Sequence, residues 1–403
     1  MKYLIVIGDG MADYPIGELG DKTPLMAADK PNMDDLARKG RCGLFKTIPE
    51  GTSAGSEVAN LSILGYNPAQ CLEGRGVLEA ASMGIKIADD ELVFRCNLIC
   101  VQNGNIKTHS AGHITSEEAA VLIKELNARL GSNQVKFYPG VSYRHILILK
   151  GQGFSREVKC VPPHDVLGSA MEGLMPAGEE KTRSLLHELI HQSNNILENH
   201  PVNIARAGKG QDQANYIWPW SPGRKPKMEK FLDKFGKNGA VISAVDLLQG
   251  IGIYIGFDVV KVPGATGLYD TNYEGKAQAA VEALRGHDLV YCHVEASDEA
   301  GHQGDFLLKK TTIEYLDKRL LGNIMRILGQ EPGLKGNVSV AVLPDHFTPC
   351  RVKGHTAEPV PFLIYNPRLK ADAVVTFDEQ SCQNGSLGLL HADQFIKKLL
   401  EVD

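Results

Sequence analysis

Short apolar runs rich in β-branched residues recur at both ends of the chain, separated by stretches with helical spacing. By residue number, the runs are 3–7, 240–243, 259–262, 288–294, 338–343 and 360–365. Continuous apolar runs of this length, bounded by Gly, Pro, Asp or Asn, are typical of strands buried on both faces of a mainly parallel sheet. Helical patterns between or after them are at 32–39, 272–284, 307–328 and 392–400. The alternation predicts a doubly wound α/β core.

The middle of the chain follows a different pattern. From about residue 95 to 205 it reads as strand, helix, strand, long polar loop and helix, with an apolar set of its own. A chain of 403 residues also exceeds what one hydrophobic core usually supports. We therefore expect a core domain formed by residues 1–92 and 213–403, with a smaller α+β domain, residues 93–212, inserted into it.

Charge and hydropathy limit the partners of the protein. The formal net charge of −5 gives no attraction to nucleic acid or to an anionic membrane surface, so an anionic substrate needs a local positive site. No apolar run approaches the length of about 20 residues that spans a bilayer. The apolar stretch at the N-terminus is too short for a signal peptide. We expect a cytoplasmic monomer without a nucleic-acid or membrane partner.

Hard metal ligands occur in four places, each where a strand ends or a loop begins. They are Asp9, Asp298, His302, Asp345, His346 and His355. Asp298 and His302 are four residues apart, so both can reach one cation from the same face of a helical turn. Taken singly, each place has an alternative without a metal, such as an aspartate that caps a turn or a solvated Asp/His pair. Ligands of open α/β sheets gather at the carboxyl edge, however, and three carboxylates with three imidazoles suffice for two metal sites.

A loop with three hydroxyl groups supplies candidates for a nucleophile. Two divalent cations against three carboxylates leave a net positive site, which suits phosphate. The loop at 51–57 is rich in small residues and precedes a predicted helix at 57–64, so its backbone N–H groups can meet an anion. Thr52, Ser53 and Ser56 all remain candidates on spacing alone, although Ser56 is best aimed. The alternative is an ordinary helix-capping loop.

Segments along nearly the whole chain resemble cofactor-independent phosphoglycerate mutases of the archaeal type, within the alkaline phosphatase superfamily. The segments are GDGMAD (8–13), TPLMAADKPNMDDLARKG (23–40), AGSEVANLSILGYNP (54–68), GRGVLEA (74–80), SAGHI (110–114), VPGATGLYDTNYEGKA (262–277), HVEASDEAGHQGD (293–305) and LPDHFTPCRVKGHTAEPVPF (343–362). The DEAGH and DH…H elements, in this order, are the most specific of them.

The resemblance implies an alkaline phosphatase-like core with an inserted lid, and a role for each candidate residue. One divalent metal ion would be held by Asp9, Ser56, Asp345 and His346, and the other by Asp298, His302 and His355. Ser56 would carry the phosphoryl group while 3-phosphoglycerate and 2-phosphoglycerate interconvert without bisphosphoglycerate. Three histidine ligands favour manganese or zinc over magnesium, and cobalt is a further possibility.

The resemblance also suggests substrate-binding residues. Arg75, Arg144 and Arg206 are candidates for clamping phosphate and carboxylate groups, because a guanidinium matches both bidentately. Each could equally be an ordinary surface arginine. His113 stands where archaeal mutases typically carry an arginine, which weakens the prediction of the substrate more than that of the reaction class.

Several other functions remain open from the sequence. A bacterial branch of the same family is proposed to contain homoserine kinases, and a phosphatase would need the same metal scaffold. No GxxxxGK[ST] loop is present, which counts mildly against a kinase. A scaffold protein that binds metal without catalysis is the non-enzymatic alternative. The HELIH string at 187–191 matches the zinc-protease pattern, but its polar residues fall opposite an apolar stripe, so we interpret it as a solvated helix face.

Overall fold

The computed structural model describes residues 1–401, which form an α/β protein. In chain order, the strands are β1 (Lys2–Gly8), β2 (Arg41–Lys46), β3 (Glu91–Gln102), β4 (Asn105–Thr108), β5 (Val135–Tyr138), β6 (Arg144–Lys150), β7 (Tyr216–Gly223), β8 (Gly239–Ile242), β9 (Asp258–Val259), β10 (Leu289–Val294), β11 (Val338–Leu343), β12 (Val360–Tyr365) and β13 (Leu389–His391). The helices are α1 (Pro24–Ala27), α2 (Pro31–Lys39), α3 (Ser56–Ile63), α4 (Pro68–Cys71), α5 (Arg75–Ser82), α6 (Ser116–Leu130), α7 (Glu180–Leu197), α8 (Pro201–Gly208), α9 (Phe231–Phe235), α10 (Asp246–Ile255), α11 (Tyr273–Gly286), α12 (Ala296–Gln303), α13 (Phe306–Tyr315), α14 (Gly322–Gln330) and α15 (Gln394–Leu400).

The chain divides into two compact units. Unit 1 combines Met1–Leu72 with the chain from Met228 onward, and unit 2 is Glu73–Lys227. The inserted unit is therefore longer at both ends than the predicted 93–212. The reason lies in its sheet, since α5 packs against β3 and β7, and β7 pairs with β3 beyond residue 212.

Unit 1 is built on an eight-stranded sheet that is mainly parallel, as predicted. The strand order is β13-β2-β12-β11-β1-β10-β8-β9. β1 lies between β10 and β11 and is parallel to both, whereas β12 is antiparallel to its two neighbours. Every residue of β10 and β11 is buried, as expected for strands covered on both faces. The carboxyl ends of three adjacent strands therefore meet at one edge of this sheet.

The core of unit 1 forms where helices pack on this sheet. Leu4 and Val6 alternate along β1, so both point to the same face, and they belong to one buried cluster with Ala277 and Val281 of α11 and Ile324 of α14. The predicted helix 307–328 is interrupted by a π-helical turn, Leu316–Leu321, between α13 and α14. The packing of these helices on the sheet holds the strands in place, and with them the strand ends that carry the candidate ligands.

Unit 2 has a separate sheet and core. Its order is β4-β3-β6-β5, with β7 pairing with β3, and all of these pairs are antiparallel. Leu122 and Leu126 of α6 and Leu186 and Ile190 of α7 are buried in one cluster with apolar residues of the sheet. None of the helices in residues 1–401 is both long and apolar enough to cross a membrane.

Candidate active site

The predicted metal ligands of unit 1 follow three adjacent parallel strands. Asp9 comes directly after β1, and Asp345 and His346 come after β11. β10 leads into α12, which carries Asp298 and His302 one turn apart. Because the three strands are neighbours in the sheet, their carboxyl ends bring these side chains to one place.

Ser56 is the hydroxyl, among the three candidates, that the fold brings to these residues. It is the first residue of α3, and its Oγ lies 3.1 Å from Nε2 of His346. Thr52 is turned elsewhere, since its hydroxyl donates to the carbonyl oxygen of Pro49 at 2.7 Å. Ser56 lies at the N-terminus of α3, where free backbone N–H groups point outward and favour an anion.

A first cluster surrounds Nε2 of His346. Besides the Ser56 hydroxyl, Oδ1 of Asp9 lies 3.6 Å and Oδ2 of Asp345 lies 3.5 Å from this nitrogen. Asp9, Asp345 and His346 are all almost completely buried. Two carboxylates with an imidazole and a hydroxyl form a donor set that divalent transition metals accept.

A second cluster adjoins the first. His302 Nε2 lies 3.2 Å from Oδ2 of Asp298, and His355 Nε2 lies 3.4 Å from Oδ1 of the same carboxylate. The two Nε2 atoms of His302 and His355 are 3.0 Å apart, so both rings converge on Asp298. The ring centroids of His346 and His355 are 4.0 Å apart, which places the two clusters side by side.

The hydrogen bonds of the histidines fit cation binding. Nδ1 of His302 lies 3.1 Å from the carbonyl oxygen of Lys353 and donates to it, so Nε2 is the nitrogen that a cation could bind after displacing its proton. Nδ1 of His346 lies 3.2 Å from the hydroxyl of Thr348, and burial lowers the pKa of His346, which keeps this ring neutral. An outer hydrogen bond of this kind typically orients a metal-binding imidazole.

The environment of the Asp9 carboxylate also fits cation binding. Oδ1 of Asp9 is buried without a hydrogen-bond partner, an arrangement that calls for an ion or water. Burial and the negative charges of Asp345 and Asp298 raise the pKa of Asp9 well above its usual value. Cations would relieve this repulsion. The donor chemistry of both clusters therefore fits a pair of divalent cations.

Asp298 already shows how positive charge acts in this cluster. Burial alone would raise its pKa, but hydrogen bonds from His302 and His355 hold the pKa of Asp298 well below the usual range. The hydrogen bond with Asp298 in turn raises the pKa of His302 to about 9. A cation would take the place of these protons.

Three polar residues of the site were missed by the sequence analysis. His293 contacts Asp9, with Nε2 2.8 Å from Oδ2, and Asn60 donates to Oδ2 of Asp345 at 2.8 Å. The Thr348 hydroxyl donates to Oδ1 of Asp298 and so connects the two clusters. His293 had a usable signal, because a polar side chain within an otherwise apolar buried strand needs a specific partner.

The predicted substrate-binding residues all belong to unit 2, and Arg206 is engaged within it. Arg206 is 2% exposed, and its guanidinium donates to the carbonyl oxygens of Asp212 and Ala111 and to the carboxylate of Glu118. These contacts favour a structural role for Arg206. His113 lies in an exposed turn after β4, where its φ is 54°.

Arg75 and Arg144 belong to a cationic face within unit 2. Burial lowers the pKa of Arg95, and the positive charges of Arg144 and Arg75 lower it further. The guanidinium of Arg95 lies over the Trp220 ring, 4.8 Å from its centroid, and 3.3 Å from the carboxylate of Glu79.

Two imidazoles extend this face. The pKa of His164 is lowered by burial and by the charges of Arg95 and Arg75, and the pKa of His109 is lowered by burial and by His164. The sequence analysis missed Arg95, His109 and His164. The three guanidiniums, with two imidazoles beside them, make this face of unit 2 suited to an anion.

The zinc-protease-like string lies on the polar side of α7. His187 Nε2 contacts the carbonyl oxygen of Pro176 at 2.7 Å, whereas Glu188 is exposed and accepts from Gln192. His191 is half exposed and lies 3.9 Å from Glu172. The two histidines thus have separate partners and do not converge on a common site.

The chain is similar in sequence to proteins of one known family. Residues 37–203 match the family model described as 2,3-bisphosphoglycerate-independent phosphoglycerate mutase. A protein of this name from Methanosarcina acetivorans is 51% identical over 403 residues, which cover all of both chains. A probable 2,3-bisphosphoglycerate-independent phosphoglycerate mutase from Geobacter sulfurreducens is 46% identical, over all of this chain and 99% of its own.

Two solved structures share the fold. One is a protein from Pyrococcus horikoshii, with a TM-score of 0.84 and 31% identity, over 99% of this chain and 97% of that one. The other is the cofactor-independent phosphoglycerate mutase from Thermoplasma acidophilum, with a TM-score of 0.70 and 26% identity, over 100% of this chain and 99% of that one. Both similarities extend over essentially the whole chain.

Proposed function

This chain belongs to the family of 2,3-bisphosphoglycerate-independent phosphoglycerate mutases, and we propose that it interconverts 3-phosphoglycerate and 2-phosphoglycerate through a phosphoserine at Ser56. One observation carries the assignment of the nucleophile. Ser56 Oγ lies 3.1 Å from Nε2 of His346, and His346 adjoins both clusters, since it lies beside Asp9 and Asp345 and also has a ligand atom within 4.8 Å of those of Asp298 and His355. Within residues 1–401, neither of the other candidate hydroxyls, Thr52 and Ser53, forms a hydrogen bond with these ligands.

The reaction is a double phosphoryl transfer that consumes no co-substrate. In the first step the bond between Ser56 Oγ and phosphorus forms while the bond from phosphorus to the C3 oxygen of the substrate breaks, and the serine proton ends on that oxygen. In the second step the C2 oxygen takes the phosphoryl group and Ser56 regains its proton. The bound cations would lower the pKa of the serine hydroxyl and neutralise charge on the phosphoryl oxygens.

We assign Asp9, Ser56, Asp345 and His346 to one cation, and Asp298, His302 and His355 to the other. Manganese or zinc is our proposal for both positions, because histidine-rich donor sets suit these ions better than magnesium. Cobalt and magnesium are the alternatives. The monomeric state and the cytoplasmic location expected from the sequence stay predictions.

We propose that unit 2 contributes the binding of the substrate's anionic groups through its cationic face. Arg75 and Arg144 remain our candidates from the sequence, and Arg95 joins them as a partly charge-compensated guanidinium held against Trp220. Guanidiniums match both the carboxylate and the phosphate of phosphoglycerate. His113 stays a candidate as well, whereas Arg206 is left out because its donors serve the fold of unit 2.

A direct assay separates this function from the kinase alternative. The manganese-loaded protein is incubated with 3-phosphoglycerate in the absence of bisphosphoglycerate, and separately with homoserine and ATP. We expect 2-phosphoglycerate in the first reaction and no phosphohomoserine in the second. Formation of phosphohomoserine, with no 2-phosphoglycerate, would overturn the proposal. The relatives named above bear the mutase name, so the kinase alternative has no further support.

A further inference from the structure

A hydrogen-bonded chain of buried groups leads from β8 to the Asp9 carboxylate. His293, in β10, is 1% exposed, and Ser243, which follows β8, is 6% exposed. Nδ1 of His293 lies 3.2 Å from the Ser243 hydroxyl, and Nε2 lies 2.8 Å from Oδ2 of Asp9. β8 and β10 are adjacent parallel strands, so the sheet itself sets this alignment.

With the Asp9 carboxylate ionised, as a metal ligand must be, one direction of donation along this chain satisfies every group. The backbone N–H of Val245 donates to the Ser243 oxygen at 3.0 Å, so the Ser243 hydroxyl is free to donate to Nδ1 of His293. The proton of the imidazole then lies on Nε2, from which it is donated to Oδ2 of Asp9. Lys276 also donates to the carbonyl oxygen of His293 at 2.9 Å, which fixes the backbone at this point.

The two carboxylate oxygens of Asp9 have different surroundings. Oδ2 is occupied by the imidazole, whereas Oδ1 is buried without a hydrogen-bond partner and lies 3.6 Å from Nε2 of His346. Only Oδ1 therefore faces the cluster that contains His346 and Ser56. Asp9, His293 and Asp345 lie close enough together to form a metal-binding group of their own, so the role of the imidazole needs to be decided.

We infer that His293 is a positioning residue, held by Ser243, which orients Asp9 so that Oδ1 alone binds the first cation and which thereby sets the affinity for that ion. The imidazole is not itself a ligand, because its two nitrogens are already committed to Ser243 and Asp9. Outer hydrogen bonds of this kind usually change metal affinity by about 10- to 100-fold. The inference rests on the proposed function only in taking Asp9 as a metal ligand.

The test measures the binding of manganese to the metal-depleted full-length protein by titration calorimetry. His293→Leu removes the hydrogen bond, whereas the amide N–H of His293→Gln can donate to Asp9 from a similar position. We expect His293→Leu to weaken one of two bound ions by about 10- to 100-fold and to leave the other unchanged. His293→Gln should stay within a few-fold of the wild type, and Ser243→Ala should weaken the same ion by an intermediate factor.

Two results would overturn the inference. Wild-type affinity for both ions in His293→Leu would show that the imidazole does not position Asp9. Equal losses in His293→Gln and His293→Leu would show that the imidazole itself is a ligand. Should His293→Leu fail to fold, Ser243→Ala decides, and unchanged binding there counts against the chain of hydrogen bonds. A wild-type protein that binds two ions but lacks mutase activity would contradict the proposed function and not this inference.

Discussion

Gly10 allows the first ligand loop to pass close to the second cluster. Its φ is +57°, and a Cβ atom at this position would lie 2.4 Å from Oγ1 of Thr348 and 2.5 Å from Oδ1 of Asp298. Its backbone N–H also donates to Oδ1 of Asp345 at 3.1 Å. A side chain here would therefore displace candidate ligands of both proposed cations and place a non-glycine residue in a left-handed conformation.

We expect Gly10→Ala to weaken manganese binding at both positions and to reduce mutase turnover by at least about tenfold, because the ligands must be held to within a fraction of an ångström. Calorimetric titration and a turnover assay check this. Gly329→Ala is the matched control, since Gly329 lies in α14 with open space around it and should be neutral or slightly stabilising. Wild-type metal affinity in Gly10→Ala would contradict the packing described for this loop.

Glu379 is a buried carboxyl outside the ligand clusters. Its oxygens accept from the Asp13 N–H at 3.1 Å and from the Thr23 hydroxyl at 2.8 Å, and burial raises the pKa of Glu379 to about 7. The folded state therefore holds a proton that the unfolded chain releases near its ordinary pKa of 4.5. Between these values the folded state binds more protons, so stability falls as the pH rises.

We expect the wild type to lose up to about 3 kcal/mol of unfolding free energy relative to Glu379→Gln between pH 4.5 and pH 8, since one pKa unit corresponds to about 1.4 kcal/mol. Chemical denaturation at several pH values measures this difference. Glu18→Gln, at an exposed position, should follow the wild-type pH dependence. Parallel curves for the wild type and Glu379→Gln would show that Glu379 does not titrate in this range.

At the residue scale, the sequence predicted that the charged residues ending strands converge, because a charged group directly after a buried strand has few alternatives to a site at the sheet edge. It left Thr52, Ser53 and Ser56 open, since only the path of the loop shows which hydroxyl meets His346. His293 was missed because its role depends on a partner more than 280 residues away in sequence. A polar side chain in an apolar strand signals that a partner exists, but it does not identify Asp9 as that partner.

At the scale of elements, a lysine of α13 joins the loops that carry ligands. Lys309 is completely buried, and its ammonium group donates to the carboxylate of Asp13 at 2.8 Å, to the Ala12 carbonyl at 3.0 Å and to the Thr348 carbonyl at 2.8 Å. Asp13 and Ala12 follow β1, and Thr348 follows β11. The side chain thus holds together the two loops that contain Asp9 and His346.

We expect Lys309→Met to cost about 3 to 5 kcal/mol of unfolding free energy, because it leaves the Asp13 carboxylate buried without its counter-charge. The added substitution Asp13→Asn should recover part of this loss by removing the unpaired charge. Denaturant unfolding of the single and double variants measures both the loss of unfolding free energy and its partial recovery. A single variant that loses less than about 1 kcal/mol would mean that this ion pair does not hold the loops.

The elements themselves were predictable where their pattern was strong. The strands at 338–343 and 360–365 agree with β11 and β12 residue for residue. β2 was missed because Arg41, Gly43 and Lys46 break its apolar run, and it is stabilised by pairing with β12. The break in the helix at 307–328 is a π-helical turn, which residue spacing does not reveal.

At the scale of the whole molecule, the two-part organisation follows from packing that the sequence pattern did not resolve. The predicted secondary-structure pattern changes near residues 95 and 205, but α5 and β7 belong to unit 2 because they pack and pair with β3. The candidate ligands and Ser56 all fall in unit 1, in two segments separated by the inserted unit. Unit 1 therefore has to assemble its site from both ends of the chain.

The central claim is that Ser56 carries the phosphoryl group during turnover. The most direct measurement is to mix the manganese-loaded enzyme with 3-phosphoglycerate, quench it with acid during turnover, and locate the covalent phosphate by peptide mass spectrometry. Ser56→Ala should lose this phosphate and on the order of 10³-fold or more of the turnover. Ser62→Ala, on the same helix, should keep both, since its hydroxyl donates to the Val58 carbonyl.

The account predicts phosphate on Ser56 in the wild type and in Ser62→Ala, and none in Ser56→Ala. Phosphate on Thr52 or Ser53, or full turnover by Ser56→Ala, would contradict it.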